Sequence, residues 1–275
     1  MDSLEAKARG LLTQWLDRSD IFRPTDPHHV VIAGAIHRIM RVFKEGGSII
    51  DLGGGISLTN GVLAQLGMKV YVVDLLDEYY PHSSLHEDGL LQVSFLREKG
   101  VHFIKADLLD CNLLDHFRKN SIDRITSYHV IEHFHSSPRR LLEDSLELLN
   151  GEGFLFIEVP NAVNILKRFK VLWGRTNYTP YHEYYFSKKY LLHIREYTLG
   201  DLMQLAHNLG FERYEIYGRN WYGTLYTTLG NQLLANYLDK FLQIFPGLCG
   251  SLFLKLEKSK RKREARGGSE NTPGL

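Results

Sequence analysis

Acids and histidines in this chain gather at the ends of apolar runs, where a folded sheet would present them. The run Ser48-Ile49-Ile50 ends in Asp51, and Gly53-Gly54-Gly55 follow. Glycines at such a point permit positive φ and let the backbone approach a ligand closely. About 20 residues further on, Val70-Tyr71-Val72-Val73 ends in Asp74, the spacing at which a carboxylate meets ribose hydroxyls in nucleotide-binding βαβ units. Asp107 follows a third run, His102 to Lys105, and His129, Glu132 and His133 follow a fourth, Ile122 to Tyr128. Imidazoles move protons near neutral pH, so this last group is the place to look for a general base. His182 and Glu183 lie in an aromatic-rich stretch, with His193 and Glu196 beyond it. They contain no i, i+4 histidine pair, and no metal is expected.

To present these groups together, the apolar runs must be buried strands. Behind the glycines, Leu58, Val62, Leu63 and Leu66 fall at helical spacing with Ser57 or Thr59 as N-cap. Strand, glycine turn and helix N-terminus make a cradle for a nucleotide-like ligand. Upstream, residues 4–17 read as a short helix, and a second opens at Asp26-Pro27 with Ile32, Ile36, Ile39, Met40 and Phe43 as its apolar face. His28, His29 and His37 on that helix read as surface or core histidines. Downstream come helices over 88–99 and 141–149, a turn at Asn150-Gly151-Glu152-Gly153, and a strand from Phe154 to Asn161. Helix 164–171 precedes the aromatic stretch, which reads as a loop. Thr198-Leu199-Gly200-Asp201 is a capping box before Leu202, Leu205, Ala206 and Leu209. A strand over 211–218, one or two helices within 225–249 and a last strand over 251–256 complete an α/β chain.

The acid and glycine turn resemble motif I of the class I S-adenosylmethionine-dependent methyltransferases, D-x-G-x-G-x-G, with Ser57 in the place of the third glycine. A dinucleotide fingerprint, G-x-G-x-x-G, fits poorly because Leu58 stands where its last glycine belongs. From Ile122 to Asn161 the chain resembles the later motifs of the same family: a strand, a hydrophobic-Glu-His turn (Ile131-Glu132-His133), a helix, a glycine turn interrupted by Glu152, and a strand ending in Pro160-Asn161. The resemblance is close over 49–161 and looser to Phe211. It implies a Rossmann-like, doubly wound α/β fold, with a seven-stranded mainly parallel sheet, a C-terminal antiparallel strand, an N-terminal helical cap and an insert after strand five. It implies S-adenosylmethionine as cofactor, held by Asp51, Gly53, Gly54, Gly55, Asp74, Leu75, Asp107, Leu108 and His129, with Asp107 receiving the adenine amino group. His129, His133 and His182 are the candidate catalytic residues. His133 reads either as general base or as a residue that shapes its loop.

On that reading, residues 1–45 form the cap, 46–161 the cofactor-binding core, 162–197 an acceptor-side insert, 198–257 the rest of the same domain and 258–275 a basic, disordered tail. The aromatic insert either lines the acceptor pocket or packs as a satellite core. The expected reaction is O-methylation of a polar small molecule, a sugar or a lipid-linked glycan. The alternatives are a non-catalytic S-adenosylmethionine-binding or scaffold protein and an NAD-dependent oxidoreductase, whose usual Tyr/Lys or His/Arg constellation is not found. A formal charge of +1 over 275 residues gives no reason to expect specific nucleic-acid binding. The basic tail is either a solubilising end or a peripheral contact with an anionic membrane surface. Two cysteines without metal-like spacing, a start without a signal-peptide pattern and no apolar run of membrane length point to a cytoplasmic protein. Oligomeric state is left open.

Overall fold

A computed structural model describes residues 3–18, 22, 28–76, 85–175, 178, 181–186, 193–220 and 232–261. The N-cap expected at Asp26-Pro27, the segment Tyr79-Tyr80-Pro81-His82 and residues 262–275 of the tail lie outside them.

Two helices come first, α1 (Ser3–Leu16) and α2 (His28–Val42), then β1 (Ser48–Leu52), α3 (Leu58–Gln65), β2 (Lys69–Asp74), α4 (Leu85–Glu98), β3 (Val101–Lys105) and β4 (Ile122–Tyr128). α5 (Arg139–Leu148), β5 (Leu149–Pro160), α6 (Ile165–Leu172), α7 (Tyr181–Phe186), α8 (Leu199–Asn208), β6 (Glu215–Arg219), α9 (Gln232–Leu242) and β7 (Ser251–Glu257) follow. The sheet runs β3-β2-β1-β4-β5-β7-β6. Strands β1 to β5 are parallel, and β7 runs antiparallel to both β5 and β6. This is the doubly wound, Rossmann-like arrangement expected. Its order reverses between β1 and β4, and ligands of such sheets bind beyond the carboxyl ends of the strands at that switch.

Both faces of the sheet are covered, which is why its strands are apolar almost throughout. Leu12 and Trp15 of α1, Ile39 and Val42 of α2, Val62 and Leu63 of α3 and Leu96 of α4 pack on one face with Ile49, Val70, Val72 and Phe156. Leu142 and Leu146 of α5 and Leu202 and Ala206 of α8 cover the other, against Ile50, Ile125, Leu155 and Leu254. At the amino ends, Asp123 accepts hydrogen bonds from Ser48 N at 2.8 Å and Asn150 Nδ2 at 2.9 Å and pairs with Lys44. These donors hold its carboxyl well below the usual range although burial works the other way.

Several expectations change in detail. The buried stripe of α2 is Val30, Ala35, Ile36, Ile39 and Val42, while Met40 is exposed. Residues 150–153 belong to β5 by backbone pattern, yet Ile122 pairs with Leu149 and Arg124 with Phe154, so the expected turn survives as a bulge. Strand six begins at Glu215, and Phe211 makes only an isolated bridge, to Arg261. The aromatic loop contains a helix, α7, whose Tyr181, Tyr184, Tyr185 and Phe186 are exposed. The amphipathic span expected near the C-terminus is α9, with Tyr237 and Phe241 exposed and the buried Asp239 accepting from Asn220 N at 3.1 Å. The first residues of the expected tail are anchored: Lys258 Nζ donates to Asn120 Oδ1 at 2.8 Å, and Arg261 Nε to the Leu209 carbonyl at 2.9 Å. No helix among the described residues is long and apolar enough to cross a membrane.

Candidate active site

The glycine turn after β1 is built around a buried acid. Asp51 accepts from Asn60 Nδ2 and Thr126 Oγ1, each at 2.7 Å, and is 2% exposed. Burial pushes its carboxyl up, and these two hydrogen bonds oppose the shift. A Cβ on Gly54 would stand 2.3 Å from Asp51 Oδ2. The carboxylate therefore packs beneath the turn, tying β1, β4 and α3 together. Gly53 and Gly55 adopt φ of 65° and 50°, and Gly53 N donates to the Val73 carbonyl at 2.8 Å. Ser57 stands at the N-cap of α3 with extended backbone and makes no side-chain cap.

Asp74, at the carboxyl end of β2, links this turn to the next loop. Its Oδ2 accepts from Gly55 N and its Oδ1 from Leu76 N, both at 2.9 Å. Leu76 is held at a φ of 55°, a conformation that costs a branched side chain about 1–2 kcal/mol. Leu75 between them is half-buried. Beyond β3, Asp107 Oδ1 accepts from Leu109 N at 2.9 Å, and Leu108 turns inward to the core. Among the described residues, a Cβ on Gly55 would meet nothing nearer than Asp74 Oδ2 at 3.9 Å, so the side of the turn facing Asp74 is open to them, while the side facing Asp51 is filled. Open backbone beside a half-buried carboxylate suits the ribose and amino-acid portions of a nucleoside-like cofactor.

The end of β4 carries a line of charge. His129, at a φ of 57°, places Nε2 3.0 Å from Glu158 Oε1 and Nδ1 3.2 Å from Glu132 Oε1. Both carboxylates are fully buried. Glu158 Oε2 accepts from Arg38 Nη2 at 2.9 Å and Nε at 3.2 Å, and the guanidinium lies 4.5 Å over the Tyr128 ring. Burial alone would lower the His129 pKa, but the two carboxylates outweigh it and push it up to about 9. Glu158 is held below its ordinary value because Arg38 and His129 outweigh burial. At neutral pH the line reads Arg38⁺, Glu158⁻, His129⁺, and the imidazolium at its end is a double donor with no lone pair to accept a proton.

Glu132 and His133 lie on a single 3₁₀ turn, Ile131–His133. The backbone carbonyl of Glu132 accepts from Ile194 N at 2.8 Å and Arg195 N at 3.1 Å, which draws residues 193–195 against the end of β4. The rings of His133 and His193 consequently meet edge to face with centroids 5.0 Å apart. His193 Nδ1 is 3.0 Å from Glu196 Oε1, and Glu196 also pairs with Lys167 of α6. His182, on α7, is exposed against Phe186, and no contact among the described residues joins it to the other two. Glu158 and Arg38 escaped the sequence reading, whereas Glu196 was named there beside His193. Glu158 had left a signal, as a lone acid inside the apolar run 154–159.

Sheet order, glycine turn and the acid closing β2 together define a Rossmann-like methyltransferase of class I, an enzyme that uses S-adenosylmethionine. A sequence profile described as a methyltransferase domain matches residues 28–216, and the chain belongs to that family. Solved structures share the fold. A methyltransferase dependent on S-adenosylmethionine from Archaeoglobus fulgidus superposes with a TM-score of 0.52 at 14% identity, covering 89% of this chain and 99% of its own. Another from Thermotoga maritima, described as a possible histamine N-methyltransferase, gives 0.50 at 14% identity, covering 93% and 99%. No curated protein matches the sequence.

Proposed function

We propose that this methyltransferase acts on a hydroxyl of a polar small molecule, a sugar or a lipid-linked glycan, received beside Glu132, His133 and His193. The observation that carries the reading is the meeting of His133 and His193 over Glu132 at the carboxyl end of β4, next to the glycine turn of β1. A hydroxyl is a weak nucleophile until its proton is lost, and groups able to take or weaken that proton belong within hydrogen-bond reach of it. An amine acceptor attacks once it is neutral and its proton need not be lost in the transition state, so it depends less on such a cluster. On this reading Asp74 binds ribose hydroxyls, Gly53 to Gly55 let the backbone approach the cofactor, and Asp107 and Leu108 border the adenine. Asp51 acts from beneath by holding the turn's shape.

When bound, S-adenosylmethionine supplies an electrophilic methyl carbon. The chain's own work is to align an acceptor oxygen with it and to exclude water, which are positional contributions. His133 is the histidine best placed for the acceptor side. His129 spends both nitrogens on buried carboxylates and orients Glu132, and His182 is placed on the insert, where it would meet the far end of the acceptor. Residues 1–45 act as a cap and 162–197 as the acceptor-side wall, whose exposed tyrosines suit stacking on a sugar ring.

The test incubates the protein with methyl-labelled cofactor and a panel of monosaccharides, glycolipid headgroups and phenols, with amino-sugar and amine analogues alongside. Label recovered as methyl ethers supports the reading. Label recovered on nitrogen or carbon overturns it. Titration of S-adenosylhomocysteine into the wild type and Asp74→Ala tests the cofactor half separately, with an expected loss of about 10- to 100-fold in affinity.

A further inference from the structure

Glu132, His133 and His193 each offer one ligand atom, and these atoms lie within 4.8 Å of one another. Glu132 is fully buried, and its Oε2 has no hydrogen-bond partner among the described residues. A buried carboxylate oxygen left unpaired costs more than almost any other polar group, so it marks a place where something positive belongs. His129 does not meet that need, because it engages the other oxygen, Oε1.

We propose that Glu132, His133 and His193 form a binding site for a divalent first-row transition ion of the Zn²⁺ or Mn²⁺ kind. Two imidazoles and one carboxylate are a ligand set that such ions accept while keeping positions open for water or substrate oxygen. Glu132 Oε1 stands 4.0 Å from His193 Nε2. Ligands of a tetrahedral ion at about 2.1 Å are roughly 3.4 Å apart, so closing the site takes about an ångström of side-chain movement. The surroundings already do what metal sites require of them. His193 is turned by its Nδ1 contact with Glu196, which presents Nε2 to the cluster, and Glu196 is itself braced by Lys167. Imidazole ligands whose second nitrogen is held by a carboxylate are more basic and correctly oriented. His129, held by Glu158, steadies Glu132 in the same manner.

The use of the site rests on the hydroxyl reading above. An acceptor oxygen bound to the ion at an open position becomes more acidic and is positioned at once, as metal-bound water is. The two histidines are far apart in sequence, on either side of the insert, so no spacing motif announces them. The proposal departs from the expectation of no metal.

The experiment uses the full chain, stripped with chelator, and Co²⁺ as the spectroscopic probe. One equivalent should bind with visible d–d absorption, and Zn²⁺ should displace it. His193→Ala and His133→Ala should each weaken Co²⁺ by at least about tenfold, and Glu196→Gln, acting on His193, by about tenfold. His207→Ala, on α8, should leave it unchanged. S-adenosylhomocysteine affinity, measured on every variant, should stay within about twofold of wild type, which shows each is folded and separates this site from the cofactor site. Failure of Co²⁺ to bind protein that binds S-adenosylhomocysteine overturns the proposal, as does Co²⁺ binding by both histidine variants as tight as that of the wild type. Either result leaves the methyl-transfer reading standing, whereas metal binding together with label on nitrogen would retain the site and sink the hydroxyl reading.

Discussion

Arg38 and Arg41 stand one turn apart on α2 and form a comparison that nature has already set up. Arg38 pairs with Glu158 at 2.9 Å and lies 4.5 Å over Tyr128; Arg41 pairs with Glu215 at 2.9 Å and lies 4.5 Å over Tyr217. The contacts match, and burial does not: the Glu158 side chain is 0% exposed and that of Glu215 46%. Removing one partner of a buried pair costs about 3–5 kcal/mol because the other charge is stranded. Glu158 keeps His129, so Arg38→Met should cost somewhat less, about 2–4 kcal/mol. Arg41→Met removes an exposed pair and should cost about 0–1 kcal/mol. Urea unfolding followed by far-ultraviolet circular dichroism, with slopes checked for equality, measures both. At about 2–4 °C per kcal/mol, a 3 kcal/mol loss would lower the thermal midpoint by about 6–12 °C. Equal small losses in the two variants would refute the argument that Glu158 depends on Arg38 for its charge.

Gly54→Ala should destabilise by about 2–3 kcal/mol, since its methyl would meet a carboxylate that Asn60 and Thr126 hold in place, whereas Gly55→Ala should cost about 1 kcal/mol from its left-handed φ alone; urea midpoints check the order. His37 is half-buried against Tyr217 and Phe253, and burial, with Arg219 and Arg41 nearby, lowers its pKa to about 4. The unfolded chain therefore binds a proton from about pH 6.5 downward that the folded chain refuses until about pH 4, so stability falls across that window as pH drops. The loss should be about 2 kcal/mol by pH 4, and His37→Gln should flatten the acid limb of a stability-against-pH curve. Phe253 stacks on Tyr217, at 4.8 Å and 3°, and on Phe156, at 5.6 Å, the three rings forming a triangle. Phe253→Ala should cost about 3–5 kcal/mol in the same unfolding assay.

The proposed cofactor half of the site was legible in sequence because its signals are local. A glycine turn, an acid before it and an acid at the end of the next strand all lie within one βαβ unit, and backbone sterics alone dictate where they fall. The proposed acceptor half is assembled from contacts between distant segments. Arg38 reaches Glu158 of β5 from α2, and His193 is brought to His133 by two backbone donors to the Glu132 carbonyl. Nothing in either segment's own pattern specifies its partner. Asp51 illustrates the intermediate case: its place in the motif was legible, but its burial beneath Gly54 depends on Asn60 and Thr126, one local and one remote. The short helix α7 was hidden because its residues are aromatic and exposed, so no apolar periodicity marks it.

The last of the described strands to be made is not the last strand of the sheet. β7 stands between β5 and β6, pairing with both, and β6 has no other strand partner among the described residues. On the ribosome, β1 to β5 can close their parallel ladder early, but β5 keeps an open edge and β6 waits unpaired until residues 251–257 emerge. Final assembly is thus an insertion rather than an addition. A nascent chain stalled before Ser251 would expose the apolar edge 154–160, which makes that interval the point in synthesis at which a chaperone has most to protect.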